Sequence, residues 1–146
     1  MLRELIFAFA LVAACLVVHT TAMVMFTEWL FGKRAVIEKR PGLLSQATLL
    51  SLIFVVIIVL HLCETGIWAL FYLQRGLFAD LETSLYFSLV SYTTIGFGDV
   101  VLPQNWRLLG GIEGISGVLL CGLSTAFLFA YVNALLHIRV QTKSSD

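Results

Sequence analysis

The chain has 146 residues, of which 60% are hydrophobic and 12% are charged, and its formal net charge at pH 7 is zero. Soluble domains are about half apolar and a quarter charged, so this composition indicates a membrane protein. The balanced charge gives no basis for nucleic-acid binding, and the three cysteines lack the spacing of a disulfide framework or a metal site.

Three apolar segments are long enough to cross a bilayer, which takes roughly 20 apolar residues. They lie at residues 5–31, 43–73 and 107–137. The first run is much longer than the apolar part of a signal peptide, so we interpret it as a retained helix. Its histidine, His19, is interpreted as a lone packed side chain. We expect this helix to pack on the outside of the second one, with a neighbouring subunit as the alternative contact.

The distribution of basic residues predicts the orientation in the membrane. Six of them lie in the loop after the first span and in the C-terminal tail: Lys33, Arg34, Lys39, Arg40, Arg139 and Lys143. The opposite side holds Arg3, Arg75 and Arg107. Since cytoplasmic loops carry the excess of basic residues, we expect the N-terminus outside and the 32–46 loop and the C-terminus in the cytoplasm.

A fourth segment, residues 81–92, is helical in character but too short to cross, because its length as a helix is roughly 18 Å. Asp80 is the predicted N-cap, and Glu82 favours the first turn. The glycines at 96 and 98 then prevent the helix from continuing. A half-length helix followed by irregular backbone is typical of a re-entrant loop, which must be buried in protein or line a water-filled path.

Residues 93–99 read TTIGFGD. Gly96 and Gly98 can adopt the positive φ that turns successive carbonyl groups toward one axis. Such stacked carbonyl oxygens can replace the water shell of a potassium ion. The Thr94 hydroxyl can add an oxygen at the inner end, and the Asp99 carboxylate can attract cations at the outer mouth.

This motif resembles the selectivity-filter signature of potassium channels. The region from 81 to 131 is similar to the pore module of small bacterial two-helix potassium channels. The resemblance implies an all-α membrane protein with a pore module at 43–146, preceded by an N-terminal helix and basic loop at 1–42. Within the module it implies an outer helix 43–73, a pore helix 81–92, a filter 93–99 and an inner helix 107–137.

The resemblance also implies a homotetramer around a central pore, with K+ ions in the filter and no organic cofactor. The residues implied to bind K+ are Thr94, Ile95, Gly96, Phe97 and Gly98, with Asp99 at the outer mouth and Thr93 as filter support. Phe97 stands where tyrosine is commonest in the family. Val90 stands where some members carry a glutamate that pairs with the filter aspartate, so gating by such an acid pair is in doubt.

The last span is rich in glycine, which is unfavourable in a helix by up to about 1 kcal/mol per residue. By resemblance Gly117 is the candidate gating hinge, with close helix packing as the alternative. We expect Gly110, Gly111 and Gly114 to be packing residues, and Ser124 and Thr125 are candidates to line the cavity below the hinge.

Two acidic groups inside spans are candidates for function, because an ionisable side chain there is costly. We interpret Glu113 as filter support, hydrogen-bonded to the pore helix near Ser88 or Ser91, with proton-sensitive gating as the alternative. His61 and Glu64 lie on one helix face and are expected to satisfy each other, with a metal site as the less favoured interpretation.

These patterns predict a potassium-selective, passive channel subunit rather than an enzyme, since no nucleophile–base pair is present. The alternatives are a weakly selective cation channel of the same architecture and an ion-transporter subunit. No span carries the repeated basic residues of a voltage sensor. The expected surroundings are membrane lipid, in a bacterial plasma membrane, without a nucleic-acid or soluble partner.

Overall fold

The computed structural model describes residues 2–32 and 43–143, with side chains described at 2–30 and 44–134. Its elements are α1 at Leu2–Gly32, α2 at Leu43–Gln74, α3 at Leu81–Tyr92, a 3-10 turn at Gln104–Trp106 and α4 at Arg107–Lys143. The described residues contain no β-strand, so the predicted all-α class is confirmed.

Three of the described helices are long and apolar enough to cross a membrane. Their spans are Leu2–Leu30, Leu44–Gln74 and Gln104–Ala134, and the prediction of a membrane protein with three spanning helices is confirmed. The basic loop residues that predict the orientation, Lys33, Arg34, Lys39 and Arg40, lie outside the described part of the chain.

Helix α1 packs against both α2 and α4. The Phe7 ring lies 5.5 Å from that of Phe71 on α2, and at the other end of α1 the Phe26 ring lies 6.5 Å from that of Phe127 on α4. The buried residues of α1 fall on one stripe: Glu4, Ala8, Cys15, His19, Met23 and Leu30. Helix α1 contacts α2, as expected, and it also packs against α4, which shields the small and polar members of this stripe from lipid.

Helix α3 is connected to α2 by a short turn and packs against it and α4. Gly76 has a φ of +63°, and the next N–H, that of Leu77, donates to the Tyr72 carbonyl at 3.0 Å. Asp80 accepts a hydrogen bond from the Thr83 N–H at 2.7 Å, which confirms the predicted N-cap. The same residues that were predicted as a short helix, 81–92, form α3.

Glycines on α4 allow it to approach α3 closely. A Cβ at Gly110 would lie 3.1 Å from the Phe87 ring, and a Cβ at Gly114 would lie 3.0 Å from the Ser91 carbonyl oxygen. The predicted packing of Gly110 and Gly114 is confirmed. At Gly111 a Cβ would meet nothing within 4 Å in the described chain, so its packing role stays a prediction.

Gly117 lies at the closest approach of α4 to α3. A Cβ there would overlap the backbone carbonyl of Tyr92 and lie 2.9 Å from Cδ1 of the same ring. Helix α4 runs unbroken through this position. The close approach gives Gly117 a packing role, and its role as a hinge stays a prediction.

Helix α4 continues to Lys143, beyond the predicted end at residue 137. The residues after 137 read IRVQTK and include neither proline nor glycine, so nothing local ends the helix there.

We expect Gly117→Ala to destabilise the protein by about 1–3 kcal/mol, because the added methyl group meets fixed backbone at Tyr92. Thermal unfolding of the purified protein in detergent measures the effect. Gly66→Ala on α2 is the matched control, since a Cβ there meets nothing within 4 Å and alanine favours a helix. Equal melting temperatures for Gly117→Ala and the native protein would contradict the close contact.

Candidate functional site

The segment after α3 has an alternating backbone. Thr94, Gly96 and Gly98 have φ of +60°, +57° and +80°, and the intervening Ile95 and Phe97 have negative φ. In a regular strand successive carbonyl groups point to opposite sides, whereas this alternation turns them toward the same side. Positive φ was predicted for the glycines but not for Thr94, where it costs roughly 1–2 kcal/mol.

Backbone hydrogen bonds attach this segment to the end of α3. The N–H groups of Ile95 and Gly96 both donate to the Val90 carbonyl, at 3.0 and 3.2 Å, and the Thr94 N–H donates to the Ser91 carbonyl at 2.9 Å. These donors satisfy carbonyl groups at the C-terminus of α3 that would otherwise lack partners. The N–H groups thus point back to the helix.

Within one chain the whole segment is uncovered. All residues from 93 to 99 are exposed, and the side chains of Ile95 and Phe97 are exposed to 57% and 68%. Thr93, predicted as support for the segment, donates through its hydroxyl to the Leu89 carbonyl at 2.6 Å. The support in one chain therefore comes from α3 and from α4, where a Cβ at Gly114 would lie 3.4 Å from Thr94 Cγ2.

The carboxylate of Asp99 has a partner that the sequence reasoning missed. The Tyr86 hydroxyl on α3 donates to Asp99 Oδ2 at 2.6 Å. This hydrogen bond holds the pKa of Asp99 below its usual value and raises the pKa of Tyr86. Tyr86 lies one turn before Val90, so it shares the helix face of the position where the family resemblance places a glutamate.

Glu113 connects three helices from a fully buried position on α4. It accepts hydrogen bonds from Ser88 on α3 and, at 2.7 Å, from the Tyr72 hydroxyl on α2. The predicted contact between Glu113 and Ser88 is confirmed. Ser88 also lies 2.8 Å from the Thr65 carbonyl of α2. Tyr72 was missed, because nothing in the local sequence connects it to a residue on α4.

A second buried polar cluster, which we call the histidine ring, lies at the C-terminal end of α3, one turn beyond Ser88. Glu64 accepts from Tyr92, and its two oxygens lie 2.8 Å from His19 Nδ1 and 2.9 Å from His61 Nδ1. Both histidine Nε2 atoms lie 3.2 Å from the Ser124 hydroxyl. His19, Glu64 and Ser124 are buried, and His61 is partly buried.

The histidine ring corrects two expectations and extends a third. The predicted pairing of His61 with Glu64 is confirmed. His19 is not a lone histidine, since it contacts Glu64 on α2 and Ser124 on α4. Ser124 does not line a cavity, because its hydroxyl is buried between the two imidazoles. Only the pair on α2 has a spacing that the sequence reveals; the other members come from distant parts of the chain.

Comparison with known proteins places this geometry in context. A family model described as an ion channel matches residues 48–134, which is more than half of the chain. The chain is also similar to the protein "TWiK family of potassium channels protein 18" of Caenorhabditis elegans, with 46% identity over 63 residues. That match covers 41% of this chain and 13% of the relative's length. No solved structure matches.

The family match runs from the second turn of α2 through α3 and the alternating segment to Ala134 on α4. It therefore contains the short helix, the exposed segment after it and both helices that pack against α3. The chain is an integral membrane protein that belongs to the ion channel family.

Proposed function

We propose that this chain is a subunit of a potassium-selective channel that conducts K+ passively through residues 93–99. The observation that carries the proposal is the alternation of φ at Thr94, Gly96 and Gly98, which aligns successive carbonyl groups. Aligned carbonyl oxygens replace the hydration shell of K+, which is the chemistry of a potassium filter. The named relative, a potassium channel protein, supports the choice of ion.

The proposed ion ligands are the carbonyl oxygens of Thr94, Ile95, Gly96 and Phe97, with Gly98 at the outer end. The N–H groups of the inner residues point back to α3, so their carbonyl groups are free to face an ion. The C-terminus of α3 carries a partial negative charge, which favours a cation approaching the inner end. No organic cofactor takes part in this chemistry.

We propose a homotetramer because one chain cannot supply a ring of oxygens. Four copies would bury the segment at 93–99, which one chain leaves exposed. Irregular backbone at membrane depth has to be buried in protein or line water, and a fourfold arrangement does both. The exposed Ile95 and Phe97 side chains would then contact neighbouring subunits and brace the ring.

Asp99 is the proposed outer mouth, where its carboxylate raises the local concentration of cations. The Tyr86 hydrogen bond fixes its position, as an acid pair does where the pore helix carries a glutamate. We place this mouth outside the cell and the end of α4 in the cytoplasm, following the basic residues. The assignment to a bacterial plasma membrane stays a prediction from the resemblance.

Two alternatives to a potassium-selective channel differ from it in the ions they would conduct or in their filter sequence. A weakly selective cation channel would retain the architecture but conduct sodium, and Phe97 in place of tyrosine is the feature that favours it. An ion-transporter subunit is disfavoured by the pair of glycines, Gly96 and Gly98, because transporter pore loops of this kind typically keep one.

Purified protein in liposomes under a potassium gradient tests the proposed selectivity. We expect potassium flux that barium blocks and that greatly exceeds sodium flux, since the carbonyl ring replaces the potassium shell. Comparable sodium and potassium fluxes would instead support the weakly selective alternative.

Gly96→Ala tests whether residues 93–99 form the path. At a φ of +57° an alanine is strained, so the aligned carbonyl groups cannot be kept. We expect loss of potassium flux with the oligomer intact in gel filtration. Gly66→Ala is the matched control and should conduct normally. Undiminished flux through Gly96→Ala would refute the proposed path.

Tyr86→Phe tests the role of the outer carboxylate's partner. The change removes only the hydroxyl that holds Asp99, an interaction worth about 1 kcal/mol or more, so we expect roughly fivefold lower flux at low potassium. Tyr131→Phe is the control, because the Tyr131 hydroxyl has no hydrogen-bond partner in the described part of the chain. Equal effects of the two substitutions would argue against a specific role for the Tyr86 hydroxyl.

A further inference from the structure

The histidine ring contains a ligand set that the ion path does not use. His19 Nδ1, His61 Nδ1 and a Glu64 carboxylate oxygen all lie within 4.8 Å of one another. Two imidazoles and one carboxylate are the ligand types of many zinc sites that keep a fourth position open. We propose that these three side chains bind one divalent transition-metal ion of the zinc type.

The first argument is a count of hydrogens around the ring. Four links close it: Glu64 to His19, His19 to Ser124, Ser124 to His61 and His61 to Glu64. Each link needs one hydrogen. With both imidazoles neutral, they and the hydroxyl supply three, and an ionised carboxylate supplies none, so the fourth place needs either one further proton or a cation. The Tyr92 hydroxyl contacts Glu64 and also lies 2.9 Å from His61 Nδ1. Its single hydrogen can serve one of these two contacts, so one of the four links still lacks a hydrogen.

One link would thus hold two acceptors facing each other in a buried site, which is costly. A cation between the carboxylate and the two Nδ1 atoms removes the shortage. Two links become metal bonds, and both imidazoles then direct their Nε2–H groups to Ser124. The hydroxyl oxygen has two lone pairs and can accept both.

The surroundings of the ring also fit a bound cation. Histidines that bind metal almost always donate their other N–H to an oxygen that fixes the orientation of the imidazole. The Ser124 hydroxyl can play this part, because it lies 3.2 Å from both Nε2 atoms. The C-terminus of α3 ends at Tyr92 beside the ring and contributes partial negative charge. This charge offsets part of the positive charge that one carboxylate leaves uncompensated.

The distances require a small adjustment. The two N···O distances of 2.8 and 2.9 Å are about 0.5 Å shorter than the roughly 3.3 Å between neighbouring ligands of a tetrahedral zinc. Small side-chain rotations can supply this change. The other titratable groups that face Glu64 are Tyr92 on α3, Cys15 on α1 and Cys121 on α4, and none is needed as a ligand.

The test measures metal binding by the purified full chain, without a histidine tag, in detergent. The protein is stripped with a chelator, dialysed against Co2+ as the probe, and analysed for metal content and for the visible absorption of the ion. We expect one Co2+ per chain, displaced by Zn2+. Since the readout is binding rather than flux, the result is independent of the proposed function.

Glu64→Gln and His19→Gln should each weaken Co2+ binding by about tenfold or more, because each removes a ligand. His137→Gln, which changes a histidine near the end of α4, is the matched control and should keep one ion per chain. Where a ligand variant does not fold, Ser124→Ala serves instead. It removes only the bridging hydroxyl and should weaken binding by about tenfold.

Folded native protein that takes up no stoichiometric Co2+ or Zn2+ would overturn the proposal, and the ring would then be a hydrogen-bonded structural cluster completed by a proton. Unchanged Co2+ binding in Glu64→Gln and His19→Gln, with loss in His137→Gln, would also overturn it.

Discussion

In the proposed channel, irregular backbone at membrane depth is the constraint on which the rest of the structure depends. After α3 the chain leaves the helix within a protein whose other long segments are apolar helices. Backbone N–H and C=O groups there find no water in lipid, so each must be satisfied by protein or by a water-filled path. The Ile95 and Gly96 N–H groups are satisfied because they donate to the Val90 carbonyl. The carbonyl groups of these two residues point away from α3 and still need partners.

Placing that segment requires α3 to be held firmly, and two buried carboxyl groups do so at contacts one helical turn apart in its C-terminal half. Glu113 contacts Ser88 in the middle of α3 and joins it to Tyr72 on α2. Glu64 contacts Tyr92 at its last residue. Removing one partner of a buried hydrogen-bonded group is destabilising, since the other group is left without a hydrogen bond. Two acidic side chains inside membrane spans are costly, but their hydrogen bonds fix the position of α3. The glycines of α4 also contribute, because they let α4 pack closely against α3.

Much of this arrangement could be predicted from local sequence. The three spans follow from apolar length, α3 from its cap at Asp80, and the positive φ of Gly96 and Gly98 from their residue type. Thr94 could not be predicted in the same way, because its conformation follows from the alternation and costs energy for a threonine. The role of Tyr86 was also missed, because its contact with Asp99 depends on the path of residues 93–99 alongside α3, which local sequence does not reveal.

The histidine ring marks the limit of local reasoning most clearly. Its members come from α1, α2 and α4, and only His61 and Glu64 share a helix. The family match begins at residue 48, so it includes that pair and Ser124 but not His19. Without His19, Oε1 of Glu64 would lose its hydrogen bond to the imidazole, which is its side-chain partner among the described residues. Helix α1 therefore helps to hold Glu64 in place. Because Glu64 accepts a hydrogen bond from Tyr92, α1 is connected to the residue that directly precedes the proposed filter.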